Sequence, residues 1–289
     1  MEMQREDIPY IEKDLEAEAN IAQHIAYYRI AGSSEIENFR SPDAYVFIFF
    51  ERNSGWHAID FVKYEEKDLQ VHISFPGQIH SWSSGARARG HKLIISKYFV
   101  DKYLFEVDFL KLQLNEHAVL DITREHFDEL ESDLKRIAAE LSNKNIKWDI
   151  VSLRAGLIIR LIDYLIKDKV LLEAQLGPVK PVIQQFNQLL DEHFHTEKKV
   201  SFYADKLAIT PNYLNILCKD VYSETAKQLI NKWVVLEAKR LLCGSPLSVK
   251  EISYTLEFSS VAAFSDYVKE HTGYSPKQWR ENSLVLADA

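Results

Sequence analysis

Two stretches in the last third of the chain decide the fold of that region, and they share one pattern. The first is Val200-Ser-Phe-Tyr-Ala-Asp-Lys-Leu-Ala-Ile-Thr-Pro-Asn-Tyr-Leu-Asn-Ile-Leu-Cys-Lys219, and the second, about 49 residues later, is Leu247-Ser-Val-Lys-Glu-Ile-Ser-Tyr-Thr-Leu-Glu-Phe-Ser-Ser-Val-Ala-Ala-Phe-Ser-Asp-Tyr-Val-Lys269. In each stretch, apolar residues recur at helical spacing on both sides of a short break. Each stretch therefore predicts a helix, a tight turn and a second helix.

Polar residues at the expected helix starts support this interpretation. Pro211 can occupy the first position of a helix, where its missing N–H group costs nothing. The residues that can accept a hydrogen bond from the free N–H groups of a first helical turn are Ser201, Thr210, Ser248 and Ser259 or Ser260.

The segment between the two units, Glu224 to Leu242, predicts a helix that ends near Gly244. A helix of roughly 18 residues would be about 27 Å long at 1.5 Å per residue. It would hold the two exposed second helices at a fixed distance, and a separation of about one turn of B-DNA, roughly 34 Å, would suit successive major grooves. The two helices could therefore enter successive major grooves, although helix-turn-helix geometry also occurs in ordinary helical cores.

A set of short motifs extends this pattern to about Ile183–Arg280. The motifs are Ala204-Asp-Lys-Leu-Ala, Thr210-Pro-Asn-Tyr-Leu, Glu237-Ala-Lys-Arg-Leu-Leu, Ser248-Val-Lys-Glu-Ile, Phe258-Ser-Ser, Phe264-Ser and Lys269-Glu-His-Thr-Gly-Tyr-Ser-Pro-Lys-Gln-Trp-Arg280. In these motifs the chain resembles the AraC/XylS transcription regulators. The resemblance implies a double helix-turn-helix domain that binds double-stranded DNA, with RNA polymerase as a further partner.

The expected recognition helices depart from the family pattern at their centres. Many members have an arginine there, whereas this chain has Ile216 and Asp266. Arginine is the commonest bidentate reader of guanine, so that contact is not available to either helix. Asparagine can pair with adenine, and Ile216 or Ala262 can touch a thymine methyl group. The predicted DNA contacts are Asn212, Asn215, Ile216, Lys219, Ser260, Ala262, Ser265, Asp266 and Lys269.

The charge balance is acidic. The chain has 35 Lys and Arg residues against 43 Asp and Glu residues, and residues 181–289 contribute 12 and 13 of these, a net charge of −1. Phosphate contacts must therefore come from local lysine clusters, and we expect salt-sensitive binding of modest affinity that improves when two copies bind together. The alternative is a degenerate family member that acts as a protein-interaction module without binding DNA.

The front of the chain has a different pattern, in which short apolar or alternating runs are separated by turn residues. These runs predict a small antiparallel barrel or sandwich. The segment Phe75-Pro-Gly-Gln-Ile-His-Ser-Trp82 is similar to the turn of cupin barrels, so the resemblance implies a cupin-like sensor domain. The runs are Tyr45-Val-Phe-Ile-Phe-Phe50, His57-Ala-Ile-Asp-Phe-Val-Lys-Tyr64, Leu69-Gln-Val-His-Ile-Ser-Phe75, Lys92-Leu-Ile-Ile-Ser-Lys-Tyr-Phe99 and Leu110-Lys-Leu-Gln-Leu114.

The expected barrel lacks the ligand pattern of a metal enzyme. Cupin enzymes usually bind a metal through a His-x-His pair, a Glu and a later His, but His57 is followed at the second position by Ile59. We therefore expect no metal, no other cofactor and no enzymatic activity. The aromatic residues either fill the core or line a pocket for a small-molecule effector, and the candidate ligand-binding residues are Trp56, His57, His72, His80 and Trp82.

Between the two regions, residues 124–172 have helical periodicity and a break at Ser142-Asn-Lys-Asn145, which predicts a helical hairpin. One apolar stripe of this hairpin is a candidate homodimer surface, although burial against the barrel explains the same stripe without a partner. The stripe consists of Leu153, Leu157, Leu161, Tyr164 and Leu165.

These observations predict an α+β chain of several domains. We expect a cupin-like β-rich domain in residues 1–122, a helical hairpin in 123–172, a linker in 173–181 and an all-α double helix-turn-helix domain in 182–289. Residues 1–20 contain no apolar run, which argues against secretion or membrane insertion. The two cysteines, Cys218 and Cys243, suit buried apolar positions in a reducing bacterial cytoplasm.

Overall fold

The computed structural model describes residues 24–41, 43–103, 118–173 and 181–286. The chain divides into two compact units, and the division falls between Glu173 and Ala174. The first unit is β-rich with a helical hairpin, and the second unit is helical. The expected α+β fold class is confirmed.

The first unit contains nine strands in the residues that the structure describes. They are β1 (Ile25–Ala31), β2 (Ser34–Arg40), β3 (Ala44–Arg52), β4 (Gly55–Ile59), β5 (Val62–Glu66), β6 (Gln70–Ser74), β7 (Ile79–Ser84), β8 (Arg89–Ser96) and β9 (Val119–Asp121). They form a five-stranded sheet in the order β1-β8-β3-β6-β9 and a four-stranded sheet in the order β2-β7-β4-β5. All the strand pairs described are antiparallel.

The two faces of the five-stranded sheet bury different partners. One face packs Phe47, Phe49 and Leu93 against α2 (Arg124–Leu141) and α3 (Trp148–Glu173), which form the predicted hairpin. The opposite face carries a smaller apolar cluster that includes Ile48 and Phe50. This second face lies against the four-stranded sheet, because side chains of the two sheets touch there. The cupin-like identity of this arrangement stays a prediction.

Two of the expected strand runs have different boundaries in the structure. The run His57–Tyr64 is not one strand but the hairpin of β4 and β5, because Asp60 and Phe61 both have positive φ angles, 48° and 70°, as a two-residue hairpin turn requires. The Asp60 carboxylate holds this turn, since it accepts hydrogen bonds from Gln78 Nε2 at 2.6 Å and from the Ile79 amide at 3.2 Å.

The run Lys92–Phe99 is also divided. Its strand ends at Ser96, whose Oγ accepts a hydrogen bond from the Phe99 amide at 3.2 Å, and α1 (Lys97–Tyr103) follows. A hydroxyl that satisfies the first turn of a helix favours this change of structure. The predicted run Leu110–Leu114 and residues 174–180 of the predicted linker lie outside the described residues. The sequence interpretation also missed β1, β2, β7 and β9.

The second unit consists of seven helices in its described part. They are α4 (Pro181–His193), α5 (Val200–Lys206), α6 (Pro211–Tyr222), α7 (Ala226–Gly244), α8 (Val249–Thr255), α9 (Val261–Thr272) and α10 (Pro276–Leu286). The long helix α7 lies between two short helix pairs, as the sequence predicts. Over the described residues, no helix is both long enough and apolar enough to cross a membrane.

Candidate functional site

The two helix pairs of the second unit, α5–α6 and α8–α9, have the same local construction. In the first pair the Ile209 amide donates to the Ala204 carbonyl at 3.0 Å, and in the second the Phe258 amide donates to the Ser253 carbonyl at 2.9 Å. The residue before each donor, Ala208 or Glu257, has a positive φ angle. The corresponding first helices start 49 residues apart and the second helices 50 apart, so the second turn contains one extra residue.

Both second helices begin at side-chain caps that the sequence indicates. Thr210 accepts from the Tyr213 amide, with Pro211 at the first helical position, and Ser260 rather than Ser259 accepts from the Ala263 amide. The expected cap at Ser201 is wrong, because α5 begins one residue earlier and its N-cap, Lys199, makes no side-chain cap bond. These caps place the start of α6 and α9 at defined residues, which sets the side chains on their exposed faces.

The exposed face of α6 is partly apolar. Asn212 and Lys219 are exposed, and Tyr213 and Ile216 retain 48% and 54% of their accessible surface. Both are exposed on a helix that buries Leu214 and Leu217 in the core, so they are available to a partner. The sequence interpretation missed Tyr213, although its spacing of three residues from Ile216 puts both on one face.

Asn215 has a structural contact that the sequence interpretation did not anticipate. Its side chain is half-buried, and Oδ1 accepts a hydrogen bond from the Ala226 amide, at the start of α7, at 3.0 Å. A bidentate contact with adenine uses both the oxygen and the nitrogen of the amide group. Asn215 could therefore read a base in this way only by giving up its bond to α7, whereas the exposed Asn212 has no such contact with α7 among the bonds described.

The exposed face of α9 has a short side chain, Ala262, and a carboxylate, Asp266. Ala262, Asp266 and Lys269 are exposed, whereas Ser265 is half-buried and its Oγ donates to the Val261 carbonyl of the same helix at 2.8 Å. The segment Val249–Thr272 contains two lysines against four carboxylates, while Val200–Tyr222 contains two of each. The two helix pairs therefore have similar backbones but different surface charge.

Side-chain contacts fix the two helix pairs relative to one another within the second unit. Lys198 Nζ donates to the Leu256 carbonyl at 2.6 Å and lies 4.9 Å from the centre of the Phe258 ring. Phe258 and Tyr267 pack against the core that surrounds α5 and α6. Asn231 of α7 contacts His271 of α9, with 3.0 Å between Nδ2 and Nε2. The separation of α6 and α9 thus depends on these contacts as well as on α7.

The last helix anchors the second pair to α7. Ser275 and Gln278 form reciprocal cap bonds at its start, and Trp279 is buried with 3% exposure. Arg280 donates from Nε to the Leu242 carbonyl at 3.0 Å and from a terminal nitrogen to the Leu247 carbonyl at 2.5 Å. These carbonyls lie at the end of α7 and just before α8, so Arg280 holds that junction in place.

The first unit brings together four of the five predicted ligand-binding residues between its two sheets. His57, His72, His80 and Trp82 are buried, and the ring centre of His57 lies 5.2 Å from that of His72 and 5.6 Å from that of His80. Trp56 is not part of this group: it alternates with His57 along β4 and therefore points to the other side of the sheet, where Lys63 lies over its ring.

Burial keeps these imidazoles neutral. Loss of hydration lowers the pKa of His72 and of His80 to about 3, and the pKa of His57 lies well below its ordinary value for the same reason. The ammonium group of the buried Lys92, which lies 5.2 Å from the Trp82 ring centre, further lowers the pKa of His80. A neutral imidazole has one N–H donor and one acceptor nitrogen.

The hydrogen bonds assign the tautomers of two of these histidines. His72 Nε2 lies 3.0 Å from the Gln70 side-chain oxygen, so it donates, and His72 Nδ1 accepts from His57 Nδ1 at 3.0 Å. His57 Nε2 is then an acceptor. Within the described part of the chain, this atom, both ring nitrogens of His80 and the Ser74 hydroxyl have no hydrogen-bond partner. Leaving such groups unpaired costs about 1–3 kcal/mol each.

The histidine group does not meet the requirements of a metal site. Among the described residues, no cluster of three or more His, Cys, Asp and Glu side chains is placed to hold a metal ion. Cys218 and Cys243 form no disulfide, and burial raises the pKa of the Cys218 thiol to about 11, so that this thiol is protonated at neutral pH.

The predicted dimer stripe on α3 divides into two groups. Leu153, Leu157 and Tyr164 are exposed, with 71%, 47% and 63% of their surface accessible. Leu161 and Leu165 instead pack partly against the core of the first unit. Burial within the unit accounts for those two residues, and the outward-facing three remain as a candidate contact surface.

The second unit contains two capped helix pairs whose second helices are exposed, and both pairs contact the helix that joins them. This arrangement defines a double helix-turn-helix protein. Residues 203–282 match the family model described as Helix-turn-helix domain. The second unit therefore contains a helix-turn-helix domain, and the expected AraC/XylS resemblance is confirmed.

Regulators of transcription are among the similar proteins. The Msm operon regulatory protein of Streptococcus mutans is 27% identical over 110 residues, which are 38% of this chain and 40% of that protein. The probable transcription factor PqrA of Proteus vulgaris is 29% identical over 87 residues, which are 30% of this chain and 71% of that protein. The chain thus spans less than half the length of the first relative.

Among solved structures, ToxT from Vibrio cholerae gives a loose likeness along most of the chain. It is 14% identical, with a TM-score of 0.44, and the match covers 89% of this chain and 97% of ToxT. The C-terminal domain of the response regulator yesN from Fusobacterium nucleatum is 22% identical, with a TM-score of 0.33, and covers 35% of this chain.

Proposed function

We propose that this protein is a sequence-specific DNA-binding regulator of transcription, in which α6 and α9 enter successive major grooves on one side of the duplex. The observation that carries the proposal is the pair of capped helix-turn-helix units held by α7 and by the Lys198 and Asn231 contacts. A fixed separation lets both helices bind without further ordering, so less conformational entropy is lost on binding. We place this activity in a bacterial cytoplasm, with RNA polymerase as a partner at the promoter.

Salt dependence tests this proposal, because phosphate contacts release counterions from DNA. We expect selective binding of the purified chain to duplex fragments from the promoter next to its own gene, weakened as salt rises, in the presence of random competitor DNA. The change Lys219→Ala should weaken binding to all sequences about equally and reduce the salt slope by about one. Lys144→Ala, an exposed lysine of the first unit, is the matched control and should change neither quantity.

The alternative function, a protein-interaction module without DNA binding, also has specific support. Ile216 is half-exposed on α6, and the carboxylates of α8–α9 would repel phosphate groups. An absence of duplex binding at low salt, both alone and with cell extract added, would favour this alternative over the regulator.

For the first unit we propose a role in homodimerisation through the exposed stripe of Leu153, Leu157 and Tyr164. Such a stripe at helical spacing can pair with its symmetry mate, and two linked DNA-binding units would compensate for the modest affinity of one. Sedimentation velocity of the full chain should show a dimer that the double change Leu153→Glu and Tyr164→Glu dissociates. Val62→Glu, at an exposed apolar residue of β5, is the control and should leave the dimer intact.

We further propose that a small effector binds between the sheets and controls the protein. The unpartnered acceptor on His57 and the donor and acceptor on His80 favour a molecule with a hydroxyl group, while Ile48, Phe50 and Trp82 offer apolar surface. Phenol and cyclohexanol should raise the unfolding temperature of the full chain more than toluene and methylcyclohexane, which lack the hydroxyl. His57→Phe should remove this difference and Trp56→Phe should keep it; equal effects of all four probes would contradict the site.

A further inference from the structure

The two recognition helices differ in what their exposed faces can reach. On α6, Asn212 and Ile216 are four residues apart and Tyr213 lies three residues before Ile216, so the three side chains share one face in the N-terminal half of the helix. All three are exposed. In helix-turn-helix proteins, the N-terminal part of the recognition helix is the part that meets base edges.

The chemistry of this α6 face matches one kind of base pair. An exposed asparagine can donate to and accept from adenine, and apolar side chains contact the methyl group that only thymine presents in the major groove. Guanine is best read by arginine or lysine; α6 contains no arginine, and its exposed lysine, Lys219, lies in the last turn of the helix, where we assign it to phosphate. The core of the second unit packs without Ile216 and Tyr213, so the exposed surface of these two side chains is available for thymine methyl groups.

The corresponding face of α9 offers little to a base. Ala262 is short, and the Ser265 hydroxyl is occupied by its own helix. Asp266 is a carboxylate, which the DNA phosphates would repel, and it could pair only with cytosine. With four carboxylates against two lysines in its helix pair, α9 is also the less attractive of the two for DNA.

We propose that sequence discrimination resides in α6, where Asn212, Tyr213 and Ile216 recognise an A·T-rich element through adenine and thymine methyl contacts, and that α9 positions the protein on the duplex without reading bases. This inference rests on the proposed DNA-binding function. It assigns Tyr213 as a specificity-determining residue. It predicts that base-pair substitutions weaken binding in the half of the operator bound by α6 and have little effect in the half bound by α9.

Removal of single methyl groups tests the inference. Sites would first be selected with the full chain from a library of randomised duplexes, and each thymine of the selected site would then be replaced by deoxyuridine. Loss of one buried methyl group corresponds to about a fourfold loss of affinity. We expect this loss at one or two positions, all in one half of the site, and we expect Ile216→Ala to bind more weakly and to lose the sensitivity to deoxyuridine at its position.

The matched change in the second helix is Asp266→Ala. It should raise the affinity for all duplexes by a similar factor, without changing the order of preferred sequences. Binding that is insensitive to every deoxyuridine, or a preferred sequence that changes with Asp266→Ala and not with Ile216→Ala, overturns this inference alone. Failure of the library to yield any enriched site overturns the proposed function, and this inference with it.

Discussion

The two asparagines of α6 should respond in opposite ways to removal of their side chains. Asn215→Ala removes the oxygen that accepts the Ala226 amide at 3.0 Å and leaves the first N–H group of α7 without that partner. Asn212→Ala removes an exposed side chain that makes no hydrogen bond to α7 among those described. Sequence position gives both residues the same predicted role, whereas the structure gives them different ones.

The size of each effect follows from the contact that is lost. A hydrogen bond of this kind contributes about 1 kcal/mol to stability, and that loss lowers the unfolding temperature of a domain of this size by about 4 °C. We therefore expect a decrease of about 4 °C for Asn215→Ala and no decrease for Asn212→Ala. A bidentate contact with adenine contributes about 1–3 kcal/mol of discrimination, so Asn212→Ala should reduce the preference for the selected site over random DNA by about tenfold.

Two assays on the same variants separate these effects. Thermal unfolding followed by far-ultraviolet circular dichroism measures stability, and competition binding with selected and random duplexes measures discrimination. Binding would be compared well below the unfolding temperature, so that a fraction of unfolded Asn215→Ala does not imitate a loss of affinity. An unfolding temperature unchanged by Asn215→Ala, together with a loss of discrimination equal to that of Asn212→Ala, would refute the reasoning.

Three further changes test the local physics of each unit. Glu257→Gly should raise the unfolding temperature by about 2 °C, because glycine adopts the positive φ angle of 49° at this position without strain. The greater conformational freedom of glycine in the unfolded chain cancels only part of this stabilisation. Glu270→Gly, in an exposed helical position, should lower the unfolding temperature. Burial raises the pKa of Glu66 to about 7, so the folded first unit retains a proton that the unfolded chain releases near pH 4.5, and the contribution of Glu66 to stability should fall as the pH rises through that interval. The buried His57, His72 and His80 act in the opposite direction below pH 6.5, because burial lowers their pKa values in the folded chain. In thermal unfolding, the stability of Glu66→Gln should therefore rise more steeply with pH than that of the unaltered chain, whereas Glu65→Gln, at an exposed neighbour, should match the unaltered chain. His80→Phe should stabilise the chain by about 1 kcal/mol in chemical denaturation, because it removes two buried nitrogens that have no partner in the described residues and this gain exceeds the cost of fitting the larger phenyl ring.

The sequence was most informative where a single local rule decides the structure. Helix starts at Thr210, Ser248 and Ser260 could be predicted because a side-chain oxygen and the amide it accepts are only three residues apart. The end of α9 at Gly273 is also set by a local property, because the φ angle of 79° at this residue favours glycine. The one cap predicted wrongly, Ser201, lies where no side chain caps the helix.

The boundaries of the β strands depended on contacts between residues distant in the chain. The run His57–Tyr64 alternates like one strand, yet it turns at Asp60 because Gln78 and Ile79 supply donors to that carboxylate. The sequence predicts that Trp56 and His57 point to opposite faces of their strand. Only the packing of the two sheets shows which of these two side chains lies between the sheets. Trp56 was therefore assigned to the interior group wrongly, while His57, His72 and His80 do come together.

The sequence by itself determined the class of the second unit, the exposure of its recognition helices and the absence of arginine at their centres, because helical periodicity, caps and residue identity are local properties. Only the tertiary structure decided that Asn215 supports α7 and that three neutral histidines share one interior layer with Lys92. Those outcomes depend on which residues pack around each side chain. The packing residues come from helices and strands 11 or more residues away in the chain. Burial and hydrogen bonding between such residues are properties of the packed molecule, so a periodic pattern in the sequence does not contain them.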